Sequence, residues 1–261
     1  MKRLVLAITS ASLLSCGLAS AADMPVKARP LPPPPVFTWT GLYIGIHGGG
    51  AWFDKDWFYP CSATNLLIAS PCNLAQGGHS GGSWLAGGQV GFNYQVGQWV
   101  WGIEAQFSKT RIERENVDIA FPDQEVLHTR TDSIGTVAVR LGYAWDRTLL
   151  YVKGGGAWAR DNYWLTGVQV PFVGVTFATG NETRRGWMVG AGIEYAFAQN
   201  WSVKVEYNYM DFGTDRIFFT STGVSPTQPP FDEDIRQRIQ VVKVGLNYRF
   251  DLGKAPVIAR Y

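Results

Sequence analysis

The amino-acid sequence predicts an all-β fold, an eight-stranded antiparallel up-and-down transmembrane β-barrel with four long extracellular loops and short periplasmic turns. Three observations carry this. Eight stretches alternate apolar with small or polar residues. The gaps between them run long, short, long, short: residues 54–82, 115–131, 162–184 and 212–234 are long, and those around Gly97, Asp146 and Asn200 are tight. Past the leader, no apolar run is long enough to cross a bilayer as a helix.

The first element is an export signal. Lys2 and Arg3 precede an apolar run over residues 4–19, and Ala19-Ser20-Ala21 places small residues before a cut ahead of Ala22. Residues 1–21 therefore read as a secretory signal peptide. Leu13-Leu14-Ser15-Cys16-Gly17 offers a second cut that would leave Cys16 lipidated, but a barrel anchored by its own wall gains little from a lipid. Residues 22–36, with Pro25, Pro30 and Pro32-Pro33-Pro34-Pro35, read as a stiff polyproline linker on the periplasmic side. The barrel is expected over residues 37–250, and residues 251–261 form a periplasmic tail.

A tilted strand needs about 9–11 residues to cross the hydrocarbon. The alternation places strands over residues 40–52, 84–94, 99–111, 133–145, 149–160, 185–197, 201–209 and 237–250. In the third, Trp99, Trp101, Ile103, Ala105 and Phe107 face out, with Val100, Gly102, Glu104, Gln106 and Ser108 inside. In the sixth, Trp187, Val189, Ala191, Ile193, Tyr195 and Phe197 face out, and in the seventh Trp201, Val203, Val205, Tyr207 and Tyr209 do. Outward aromatics gather in two bands, as rings do at two headgroup layers. Tyr94, Trp99, Tyr143, Trp145, Phe197, Trp201, Tyr248 and Phe250 flank the short turns or chain end. Trp52, Trp84, Phe107, Trp158, Trp187 and Tyr209 lie towards the long loops. The inner face carries Glu104, Arg140, Lys153, Glu194, Lys204, Glu206 and Lys243, the inverse of a soluble barrel, which buries apolar side chains.

The two halves also resemble each other. Gly48-Gly49-Gly50-Ala51-Trp52 recurs as Gly154-Gly155-Gly156-Ala157-Trp158, and Glu104 matches Glu206. A pseudo-twofold barrel would place those two acids at one depth. The triplets lack a following Lys-Ser or Lys-Thr, which excludes a phosphate loop, and suit relief of crowding in a narrow barrel.

Lys2 and Arg3 belong to the leader, and the remaining 21 basic residues equal the 21 acidic ones. A neutral mature chain gives nucleic acid no concentrated positive patch. Cys61 and Cys72, both in the first long gap, are expected to form a disulfide in an oxidising compartment, with metal binding the weaker alternative.

Three stretches carry a resemblance: Ala21-Ala22-Asp23-Met24-Pro25-Val26-Lys27-Ala28, Phe37-Thr38-Trp39-Thr40-Gly41-Leu42-Tyr43-Ile44-Gly45, and Val242-Lys243-Val244-Gly245-Leu246-Asn247-Tyr248-Arg249-Phe250. With them the chain resembles the outer-membrane immunogenic proteins of Gram-negative bacteria, surface antigens related to opacity proteins and to the transmembrane domain of OmpA. The resemblance implies a surface-antigen barrel in the cell outer membrane. It also implies that Lys243, Gly245, Tyr248 and Phe250 form the terminal signal read by the barrel-assembly machinery.

An eight-stranded barrel is just wide enough for its own side chains to fill. The lumenal charges are then expected to neutralise one another as a plug, and the competing reading is the selectivity lining of a narrow porin-like channel. Enzymatic action is not expected. His79 and His128 read as surface histidines and His47 as a hydrogen-bonded filler, and no paired-ligand motif supports haem, so no cofactor is expected. Lys109, Arg111, Arg160, Arg185, Arg236 and Arg238 share the outward register near the extracellular ends, a collar suited to lipopolysaccharide phosphates or to plain solvation. Host or surface ligands would meet the loops, where Trp57-Phe58-Tyr59-Pro60 and Ser225-Pro226-Thr227-Gln228-Pro229-Pro230 stand out.

Overall fold

The computed structural model describes residues 37–62, 65, 73–118, 125–168, 173–222 and 231–250. The expected leader, linker and tail, together with Cys72 and the 225–230 segment, lie outside the described residues. Eight strands follow in order: β1 (Gly41–Tyr59), β2 (Leu74–Val96), β3 (Trp99–Val117), β4 (Glu125–Trp145), β5 (Thr148–Gly167), β6 (Thr176–Tyr195), β7 (Trp201–Ser221) and β8 (Phe231–Phe250). Each pairs antiparallel with its sequence neighbours, and β8 returns to β1, closing the sheet. Two of the short connections are two-residue turns, Gly97-Gln98 and Asp146-Arg147. Gly97 and Asp146 take φ of 59° and 51°, the left-handed geometry that lets a tight hairpin follow the strand twist.

The strands are longer than the sequence pattern suggested. Much of what reads as loop over residues 54–82, 115–131, 162–184 and 212–234 is strand: β1 continues to Tyr59, β3 to Val117, β5 to Gly167 and β7 to Ser221. A 20-residue strand such as β5, tilted by roughly 40°, climbs about 50 Å. That is about twice the height of a ~25 Å apolar band. The barrel therefore has a membrane storey and an extracellular storey, and the two have opposite polarity.

In the membrane storey the outside is hydrocarbon-compatible. Ile103, Val139 and Trp145 are 61%, 66% and 75% exposed, while Glu104, Arg140 and Lys204 are buried inside. Above the outer aromatic band the order reverses. Tyr163, Leu165, Ile217 and Phe219 point inward and are buried, and Asn162, Trp164, Arg216 and Thr220 point outward. The extracellular storey thus holds a conventional core of Trp57, Leu127, Tyr163, Leu165, Phe177, Ala178, Ile217, Phe219, Phe231 and Ile235. Water surrounds that storey, so apolar side chains gain by turning inward. Trp57 and Tyr59 belong to this interior, which corrects their assignment to a displayed surface motif.

The lumen is filled in layers. At the periplasmic end residues 37–39 fold into the mouth, where Trp39 packs with Val100, Ala144, Leu149, Tyr151 and Ala196. The rings of Phe37 and Trp39 meet edge to face at 5.2 Å, and the Arg249 guanidinium lies 4.4 Å from the Phe37 ring. The charged layer comes next, and an apolar layer including Phe53, Leu85, Ile112, Met188, Met210, Phe212 and Ile239 lies above it. Higher still, Lys55 and Asp161 pair at 3.2 Å, both fully buried, below the aromatic core.

Candidate functional site

The sequence-predicted lumenal charges converge. All seven point inward from β3 to β8 and are buried. Lys153 bridges Glu104 and Glu206 at 2.9 and 2.7 Å, and Lys204 bridges the same two acids at 2.7 and 3.3 Å. Lys243 adds a third contact to Glu206 at 3.1 Å, while Arg140 reaches Glu194 at 2.6 Å and Glu104 at 3.9 Å. Glu104 and Glu206 thus face each other at one depth, as a pseudo-twofold arrangement requires. The bases follow the symmetry only in part: Lys243, which matches Arg140 at an offset of 103 residues, pairs with Glu206 as Arg140 does more distantly with Glu104, but the close partner of Arg140 is Glu194.

Neutral donors complete the network. Tyr43 donates to Glu104 at 2.9 Å and accepts from Arg140 at 2.9 Å, and Tyr151 donates to Glu206 at 2.8 Å. Ser202 and Asn247 both donate to Glu194. The Arg140 guanidinium lies 3.7 Å from the Tyr151 ring. Neither tyrosine stands out in the sequence as a lumenal partner: Tyr43 appears only within the stretch that carries the family resemblance, and Tyr151 lies unmarked within the fifth expected strand. Buried charges tolerate a low-dielectric site only when paired and hydrogen-bonded, and here each acid has at least two partners.

The network leaves little free volume. A cavity with room for about 10 Å³ lies below it, lined in part by Trp39, Glu194 and Asn247. A second of about 10 Å³ lies above, between Gln106, Thr136, Asn208 and Lys243 and the apolar Leu85 and Met210. Each is about the size of a single water molecule.

The six collar residues all face outward, in the register expected. Lys109, Arg160 and Arg185 each stand two residues beyond an outer-band aromatic, namely Phe107, Trp158 and Trp187. Several of the others are engaged: Arg111 with Glu113 at 3.7 Å, Arg236 with Asp211 at 4.0 Å and Arg238 with Asp56 at 3.4 Å.

His47 lies in the lumen, within 2.5 Å of Gln89 and 2.7 Å of Ser108. His128 stacks on Trp164 with centroids 5.1 Å apart, and its ring nitrogens reach Thr166 at 2.9 Å and Glu115 at 3.6 Å. That is an acid–imidazole–hydroxyl order, but it lies on the outer face of the sheet and the Glu115 side chain is 74% exposed, so solvent screens the pair. Burial holds the His128 imidazole below its ordinary pKa, against the opposing pull of the Glu115 and Glu113 carboxylates.

At the extracellular mouth Cys61 is disulfide-bonded. Asn65 donates to the carbonyls of Pro60 and Asp232, tying the first connection to the start of β8. Beneath it, Gln76 donates to Asp118 at 2.7 Å and to Glu233 at 3.2 Å. Burial, then the Asp118 carboxylate beside it, raises Glu125 to about 8. Burial and Glu125 hold Glu233 well above the ordinary carboxylate range. The sequence offered no sign of this acidic layer, because its members come from three separate strands and one strand end.

On β8, Lys243 and Gly245 point inward, while Tyr248 and Phe250 face outward with rings 5.1 Å apart.

A family model described as outer membrane protein beta-barrel domain matches residues 9–250. The 31 kDa outer-membrane immunogenic protein of Brucella melitensis is 30% identical over 262 residues, covering 96% of this chain and 100% of that protein. The 25 kDa outer-membrane immunogenic protein of Brucella abortus is 25% identical over 254 residues, covering 94% and 97%. Among solved structures, the outer membrane protease OmpT of Escherichia coli superposes with a TM-score of 0.51 at 8% identity, covering 84% of this chain and 99% of that one, which is a likeness of fold alone. Inverted polarity, paired aromatic bands, closed eight-stranded wall and full-length relatives agree: this chain belongs to the outer membrane β-barrel family and is a surface-antigen barrel of the cell outer membrane.

Proposed function

We propose that the barrel is a closed structural element of the envelope, without catalytic or pore activity, that displays its extracellular storey and loops to the outside. The observation that carries this is the lumenal network, in which three acids and four bases hold one another across the full width of the barrel. A selectivity lining needs charges left available to passing ions; these are committed. Trp39 below and Phe53 with Phe212 above close the path on either side of it. Both described histidine side chains are engaged by neutral or surface partners, which supports a non-catalytic role. Recognition by the barrel-assembly machinery fits the outward Tyr248 and Phe250 at the end of β8, and host or surface ligands would meet the loops. Liposome swelling tests the reading: vesicles holding the refolded mature protein should swell in small sugars no faster than empty ones. Faster, size-dependent swelling would establish the narrow-channel alternative.

A further inference from the structure

We infer that one side of the barrel, the outer face of β3 to β6, is a binding site for the phosphate groups of outer-leaflet lipopolysaccharide. The collar is not electrostatically uniform. On β8, Arg236 and Arg238 already face Asp211 and Asp56. Lys109, Arg160 and Arg185, by contrast, have no ion-pair partner among the described residues, and all three are exposed.

Register places these three free cations together. Lys109 lies opposite Ser133, Ser133 opposite Arg160, and Arg160 opposite Thr183, so one row across β3 to β6 reads Lys-Ser-Arg-Thr. Arg185 follows two residues below Thr183, opposite Trp158. Strands about 4.8 Å apart put Lys109 and Arg160 roughly 10 Å from each other, with a hydroxyl between them. Such a row offers guanidinium forks, an ammonium and two hydroxyl donors to phosphate oxygens.

Depth selects the ligand. Each cation stands just beyond an aromatic of the outer band, so it sits at the headgroup level of the outer leaflet while its ring neighbour meets the acyl boundary. The ligand is thus a phosphorylated glycolipid whose acyl chains lie along the wall, rather than a free anion. This inference rests on the outer-membrane placement of the barrel and not on whether its lumen conducts.

The test compares binding of purified lipopolysaccharide to refolded wild type, to the Lys109→Gln/Arg160→Gln/Arg185→Gln variant, and to the Arg236→Gln/Arg238→Gln variant. Heat-modifiable gel mobility confirms folding of each. Wild type and the β8 variant should bind alike and lose affinity with added salt, while the triple variant should bind at least about tenfold more weakly. Chemically dephosphorylated lipopolysaccharide and phosphatidylglycerol vesicles should both compete poorly. The inference is overturned if the triple variant binds like wild type, if the β8 variant loses as much, or if either competitor matches intact lipopolysaccharide. Conductance measured on the same preparations reports on the closed-lumen reading separately, so failure of one does not imply failure of the other.

Discussion

Glu206 shows how much one lumenal residue can carry. It accepts from Lys153, Lys204, Lys243, Tyr151 and Asn208, so truncating it leaves three buried ammonium groups short of a partner. Glu206→Ala should cost about 3–5 kcal/mol of unfolding free energy, measured by urea titration in lipid vesicles. At the mouth the same logic runs through protons. Glu125 has its pKa raised to about 8 in the folded state, against 4.5 for an unperturbed Glu. A raised carboxyl favours folding most fully at low pH, below the unfolded value, and that contribution is lost as pH rises towards about 8. Amide protection factors, which remove the intrinsic rise of exchange with pH, should therefore fall from pH 5 to 8 at the extracellular ends of β3, β4 and β8 and level off beyond. Glu125→Gln should flatten that slope. Identical slopes in both proteins would refute the assignment. All seven lumenal charges were legible in the sequence because alternation alone decides which face a residue takes. Their partners were not, since pairing across the lumen depends on barrel stagger, which a single strand does not reveal.

The glycine triplets set a requirement at the scale of the strand. A Cβ on Gly49 would lie 2.1 Å from the Val242 carbonyl oxygen, and one on Gly155 would lie 2.0 Å from that of Val137. At Gly156 the same atom would meet nothing within 4 Å. Only the central, inward-facing glycine of each triplet is sterically demanded, where neighbouring strands crowd together. Gly155→Ala should therefore abolish or sharply reduce the heat-modifiable folded band, and Gly156→Ala should leave it intact. Strand positions in the membrane storey were readable from their two-residue period, but their extracellular halves were not. Asp54-Lys55-Asp56 has the composition of a loop, yet Lys55 is fully buried against Asp161, Thr129 and Tyr163. The usable signal was the continued alternation of Phe53, Trp57 and Tyr59, masked by the reversal of polarity above the membrane. Trp39 was likewise visible only as part of a family resemblance, because nothing in its neighbours marks a segment that folds back into the barrel.

For the whole molecule, one wall serves two solvents. Below the collar, lipid contacts the apolar face and ions pair within; above it, water contacts the polar face and a core of rings and aliphatics packs within. Fullness is common to both storeys. An eight-stranded wall encloses a width that side chains can span, so layers of aromatics, ions and aliphatics succeed one another from Trp39 to Glu233. Single-channel recording on refolded mature protein in planar bilayers tests this most directly. A closed lumen should give no stable conductance steps at moderate voltage from preparations shown to be folded by gel mobility. Reproducible, ohmic steps of uniform size from the same preparations would contradict it.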